Sequence, residues 1–105
     1  MIRHIVMWKL QDQAAGQSKE ANGQAVRQAL MALPAKIDEI AGFEVGLNIN
    51  GSERAGDVVL VSTFKDQEAL KTYSAHPDHQ EVVRFIRTVS AETRVVDYVT
   101  DDPPL

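Results

Sequence analysis

Apolar and polar positions alternate with a strand period in some parts of this chain and recur with a helical period in others. Ile2–Leu10 is rich in β-branched and large apolar residues, which predicts a strand. Its even positions, Ile2, His4, Val6, Trp8 and Leu10, share one face. Its odd positions, Arg3, Ile5, Met7 and Lys9, share the other, which is apolar at its centre. Gln11–Gln17 reads as a polar loop, and Ser18 as the N-cap of a helix. Val26, Leu30, Leu33 and Ile37 then follow helical spacing; Pro34 is expected to interrupt that helix and Gly42 to end the segment. Phe43–Asn50 alternates as a half-buried strand, with Phe43, Val45, Leu47 and Ile49 inward. Asn50–Gly56 reads as a hairpin-type loop and Asp57–Phe64 as a third strand, apolar on both faces through Val58-Val59-Leu60-Val61. Asp66 can cap a short helix from Gln67. The His76-Pro77 step breaks it, and a further helix carries His79, Val82, Val83 and Ile86 on one face. Thr93–Thr100 is the last predicted strand.

The resulting order is β-α-β-β-α-β. It predicts an α+β, ferredoxin-like fold: a four-stranded antiparallel sheet with helices on one face. The first and third strands are central in this topology. Ile5, Met7, Val59 and Val61 then form an apolar patch on the uncovered face. Such a patch predicts a homodimer through sheet-to-sheet packing about a two-fold axis. The expected boundaries are one domain over residues 1–100 and a flexible tail, Asp101–Leu105.

A chain of 105 residues with 44% apolar content suits one globular domain, small enough to gain from a partner subunit. The net charge of −4, with no basic cluster, argues against nucleic acid and anionic membranes as partners. The absence of cysteine excludes disulfides, thiolate nucleophiles and cysteine-type zinc sites, and fits a reducing, cytoplasmic location. No signal sequence is expected at the start, and no apolar run approaches the ~18 residues of a membrane span.

Two of the three histidines fall within Tyr73–His79. The helical phase of His79 turns its ring toward the sheet, where burial would keep it neutral and able to act as a base. Tyr73, on the inward side of the short helix, could donate a hydrogen bond to a substrate oxygen as charge develops. The same two side chains could equally satisfy one another, or the backbone, as a polar spot in the core. His76 fits the N-cap position, and Asp78 suits the first helical turn by charge alone. His4 shares a face with Val6 and Trp8 and is either a core histidine or a third pocket group. His76 and His79 are separated by a proline and a helix start, not by one helical turn, so no metal is expected. Trp8 reads as core, Asp97 and Tyr98 as edge or interface residues.

The strand His4-Ile5-Val6-Met7-Trp8-Lys9-Leu10, the strand Asp57–Phe64 with its helix start through Leu70, the Tyr73…His76-Pro77-Asp78-His79 run and Val96-Asp97-Tyr98 together resemble the stress-responsive A/B barrel (Dabb) family. The Ala-Leu-x-x-Tyr-x-x-His-Pro-x-His run is the most specific element. The resemblance implies a dimeric α/β barrel. The family is related to olivetolic acid cyclase-like polyketide cyclases, which close a ring by aldol condensation without metal or cofactor. It also holds plant stress proteins that form stable oligomers. By resemblance, Tyr73 and His79 match the cyclase's catalytic pair, and His4 matches a histidine near the start of its first strand. The cyclase's first-helix aromatics are replaced here by Ala25, Val26, Ala29 and Leu30, so a pocket would differ in shape.

Three functions are therefore open. One is a cofactor-independent cyclase, aldolase or isomerase acting on an apolar carbonyl compound, with His79 as base and Tyr73 as donor. The second is a non-catalytic stress or assembly protein defined by a stable dimer. The third is a binding protein for a small apolar molecule.

Overall fold

In the computed structural model, which describes residues 1–103, β1 (Ile2–Leu10) leads into a small ladder of β2 (Gln13–Ala14) and β3 (Gln17–Ser18). There follow α1 (Lys19–Met31), β4 (Ile40–Leu47), β5 (Val58–Phe64), α2 (Gln67–Ala75), α3 (Pro77–Val89) and β6 (Ser90–Val99). The long strands form one antiparallel four-stranded sheet in the order β4-β5-β1-β6. This is the ferredoxin-like α+β arrangement expected from the sequence, with β1 and β5 at its centre.

The core lies between the sheet and the helices. Val6, Trp8 and Leu10 of β1 and Val58, Leu60 and Phe64 of β5 pack there against Val26 and Leu30 of α1, Tyr73 of α2, and Ile86 and Val89 of α3. Each of these is buried, so each contributes hydrophobic stabilisation of about 1.5–3 kcal/mol if a large aliphatic or aromatic side chain is wholly removed from water. On the opposite face Ile5 stands between Val61 and Val96, and Met7 lies beside Val59. Met7 is 41% exposed and Val96 59% exposed, so the apolar patch is present and extends onto β6.

Local chemistry sets the helix starts. Ser18 Oγ accepts from the Ala21 amide at 3.2 Å and Asp66 Oδ1 from the Ala69 amide at 2.9 Å. His76 ends α2 and caps α3, its Nδ1 accepting from the Asp78 amide at 3.1 Å, with Pro77 in the first turn. At the far end of β1, Asp57 ties two strands together: its amide donates to Trp8 O at 2.8 Å and its Oδ2 accepts from the Leu10 amide at 2.7 Å.

Three boundaries differ from the sequence reading, while the break of α1 at Pro34, with one turn after it, is as expected. The Gln11–Gln17 segment contains the β2–β3 ladder, turned by Ala15 and Gly16, both at positive φ, as a tight hairpin requires. Helix α1 stops at Met31, ahead of Pro34, because the residue before a proline avoids helical angles; an isolated turn follows, with Ile37 N donating to Leu33 O at 3.0 Å. Strand β4 begins at Ile40 and ends at Leu47. Gly42 lies inside it beside an irregularity between Ile40 and Gly42, and Ile49 lies beyond it, fully exposed. Strand β6 begins directly at Ser90, with no loop after α3. In the expected tail, Pro103 O accepts from Arg3 at 3.0 Å and the Asp102 carboxylate lies 3.7 Å from Arg3; Pro104 and Leu105 lie outside the described residues.

Candidate functional site

The helices cover β4, β5 and β1 but leave the edge strand β6 largely bare. Thr93, Val95, Asp97 and Val99 of β6 share the helix-side face, since they pair in register with Trp8, Val6, His4 and Ile2. Between this strip and α3 opens a cleft of about 330 Å³. Its apolar walls include Val6, Trp8, Val83, Ile86 and Val95; His4, His79 and Arg87 supply its ionisable groups. A neighbouring cleft of similar size, between α2 and the end of β6, includes Asp97 and Lys71 but no histidine.

Helix α3 places His79 on the cleft wall, one turn before Val83 and two before Ile86 and Arg87. Its Nδ1 lies 3.0 Å from the Ser74 carbonyl. A carbonyl oxygen only accepts, so Nδ1 carries the proton and the neutral ring keeps its lone pair on Nε2. The same carbonyl accepts from Gln80 Nε2 at 2.6 Å. Burial lowers the affinity of His79 for a second proton below the usual imidazole range. The Ser74 hydrogen bond opposes that shift, and the nearby His4 and His76 reinforce it.

Tyr73 packs against His79 with the rings tilted and their centroids 4.4 Å apart, and its ring is also 4.8 Å from Phe64 and 6.2 Å from His4. The structure thus brings His4, Tyr73 and His79 into one aromatic cluster. Tyr73 is wholly buried behind the cleft wall, and its hydroxyl has no hydrogen-bond partner among the described residues. Burial raises the phenol's pKa far above its usual value, so the group is a neutral O–H donor.

Asp97, read from the sequence only as an edge or interface residue, stands opposite His4 across the β1–β6 ladder. Its Oδ1 accepts from His4 Nδ1 at 2.5 Å. This leaves the Nε2 of His4 as the second ring nitrogen free of that bond. Only the strand register reveals the pair; Asp97 is 93 residues away in sequence. His76 is turned to the α3 N-terminus and takes no part in lining the cleft. No cluster of three histidine or acidic side chains able to hold a metal ion occurs among the described residues. No helix among them is long and apolar enough to cross a membrane.

Trp8 forms one wall of the cleft, Leu30 lies in the core and Phe85 packs at the core's margin. The α1 residues that replace the cyclase aromatics do not line it.

The chain is 37% identical over 87 residues to an uncharacterized protein of Streptomyces coelicolor, covering 83% of this chain and 88% of that one. A dimeric protein of unknown function with a ferredoxin-like fold from Bacteroides fragilis superposes with a TM-score of 0.82 at 34% identity, covering 92% of this chain and 93% of the other. A hydroxynitrile lyase from Passiflora edulis shares the fold, with a TM-score of 0.78 at 17% identity over 98% and 96% of the two chains. The stress-responsive A/B barrel domain matches residues 2–100. With nearly the whole length matched and the fold in agreement, this chain belongs to the stress-responsive A/B barrel (Dabb) family.

Proposed function

We propose that the protein binds an apolar carbonyl compound in the cleft between α3 and β6 and removes a proton beside the carbonyl, with His79 as the base. The observation carrying this reading is the Ser74 carbonyl bonded to His79 Nδ1, which leaves a basic Nε2 on an imidazole that lines the cleft. In the step, the C–H proton moves to Nε2 and the electron pair of that bond passes into the carbonyl, giving an enolate. In this proposal the Tyr73 hydroxyl, unpartnered but buried behind the cleft wall, donates to the enolate oxygen once substrate binding uncovers it. Attack of the enolate carbon on a second carbonyl would close a ring or join two fragments; return of the proton to another carbon would isomerise the compound. His79 gives up its proton at the end of either sequence, so no cofactor is consumed. His4, held by Asp97, serves as a further polar group for the substrate.

The sheet-to-sheet homodimer belongs to the same proposal, supported by the exposed Met7–Val96 face and by the dimeric Bacteroides fragilis relative. So does the reducing, cytoplasmic location suggested by the lack of cysteine. The test is turnover of polyketide-like β-dicarbonyl compounds by wild type and His79→Ala. Loss of turnover in the variant is the expected result; equal rates remove His79 from the mechanism.

A second reading, a non-catalytic assembly protein, is favoured by the complete burial of Tyr73 behind the cleft wall. Under that reading the dimer persists and no carbonyl compound in the screen is turned over.

A further inference from the structure

We propose that Arg87 makes the cleft selective for an apolar compound bearing a carboxylate at the end remote from the reacting carbonyl. This rests on the reading of the α3–β6 cleft as the binding site. The chain as a whole is acidic, with fifteen Asp and Glu against eleven Lys and Arg, yet no acidic side chain lines this cleft. Arg87 is its permanent charge. The side chain is exposed, and it makes no ion pair or side-chain hydrogen bond among the described residues. A guanidinium at the rim of an apolar cavity offers a planar pair of donors that matches a carboxylate in a bidentate contact. Val6, Trp8, Val83, Ile86 and Val95 supply the surface for the apolar body.

The spacing sets where the carboxylate lies relative to the chemistry. His79 and Arg87 are eight positions apart on one helix face, an axial separation of about 12 Å, which the reach of the arginine side chain shortens. A carboxylate held by Arg87 therefore sits at the other end of the cleft from His79 Nε2. The compound class is an oxo acid with an apolar chain or ring between its functional groups. Position alone has a competing explanation, since a cation in the last turn of α3 also suits the carbonyl end of the helix. Arg84 lies on the same helix but does not line the cleft, so it separates the two explanations.

The experiment titrates octanoate and the neutral octanol onto the intact protein by calorimetry. Trp8, the single tryptophan and part of the cleft wall, reports occupancy through its emission. Wild type should prefer octanoate by about tenfold, the scale of one well-formed charged contact. Arg87→Gln should abolish the preference, Arg87→Lys should keep part of it, and Arg84→Gln should leave it unchanged. Equal binding of the two probes by wild type, or no binding of octanoate, overturns the inference. Retention of the preference by Arg87→Gln does the same. His79-dependent turnover without a carboxylate preference would sink this inference alone; a preference for octanoate without turnover would sink only the chemistry assigned to His79.

Discussion

Replacing Tyr73 by phenylalanine should stabilise the protein while weakening whatever the cleft does to a carbonyl. The ring of Tyr73 has no solvent exposure and packs on Phe64 and His79, contacts that phenylalanine would keep. Only the hydroxyl is lost. That hydroxyl is removed from water and bonded to no group among the described residues. Burying such a group without a partner costs about 1–3 kcal/mol in proteins. The substitution should recover most of the lower figure, about 1 kcal/mol, since the ring moves little and the void left is one atom. For a domain near this size that gain raises the melting midpoint by about 4 °C. Calorimetric melts of both proteins at matched concentration measure it, because a dimer's midpoint depends on concentration. Catalysis should move the opposite way, with turnover falling by about two to three orders of magnitude, the effect of losing one oxyanion donor. Destabilisation by 1 kcal/mol or more would mean that the hydroxyl is well satisfied in the folded protein, and the argument for a donor held ready would fail. A stabilised variant with unchanged turnover would free Tyr73 of any chemical role.

Acidification should destabilise the protein through His79. Its folded-state proton affinity lies below the unfolded value, so the unfolded chain binds the extra proton first; the contribution is complete above about pH 6.5 and is lost as the pH falls below it. Urea midpoints measured across that range should slope less in His79→Gln than in wild type, and an identical slope would contradict the burial of the imidazole. His76→Ala should cost about 1 kcal/mol in urea unfolding through loss of the α3 cap, while His76→Asn restores most of it. Met7→Glu places a charge at the centre of the uncovered sheet face and should give monomers in sedimentation velocity; a dimer unchanged in stability would locate the subunit contact elsewhere.

Much of the fold is written in local chemistry. The alternation along Ile2–Leu10, the two-sided apolar run Val58–Val61 and the His76-Pro77 break each act within a few residues, and each lies where the pattern predicts. Boundaries failed where a neighbour in space, or a break in period, decides the outcome. The irregularity between Ile40 and Gly42 disturbs the two-residue period, so the first part of β4 does not look like a strand. Ile49 continues the alternation past the point where β5 can pair with it, and is left in solvent. At the site, the inward phase of His79 and Tyr73 follows from helical spacing. The choice of ring nitrogen does not, because it depends on the Ser74 carbonyl, freed at the end of α2. Asp97 was hidden for the same reason: the bond to His4 exists only once β6 has taken its register.

The place of β1 in the sheet carries a cost during synthesis. It precedes every other strand of the sheet in the chain, yet one of its two partners, β6, follows all the others: Ile2 pairs with Val99 and His4 with Asp97. Until β6 emerges from the ribosome, one flank of β1 exposes unpaired backbone groups beside Ile5 and Met7, a template for pairing with other nascent chains. A polypeptide stopped at Val89 would contain every helical segment and still leave that flank of β1 open to such pairing.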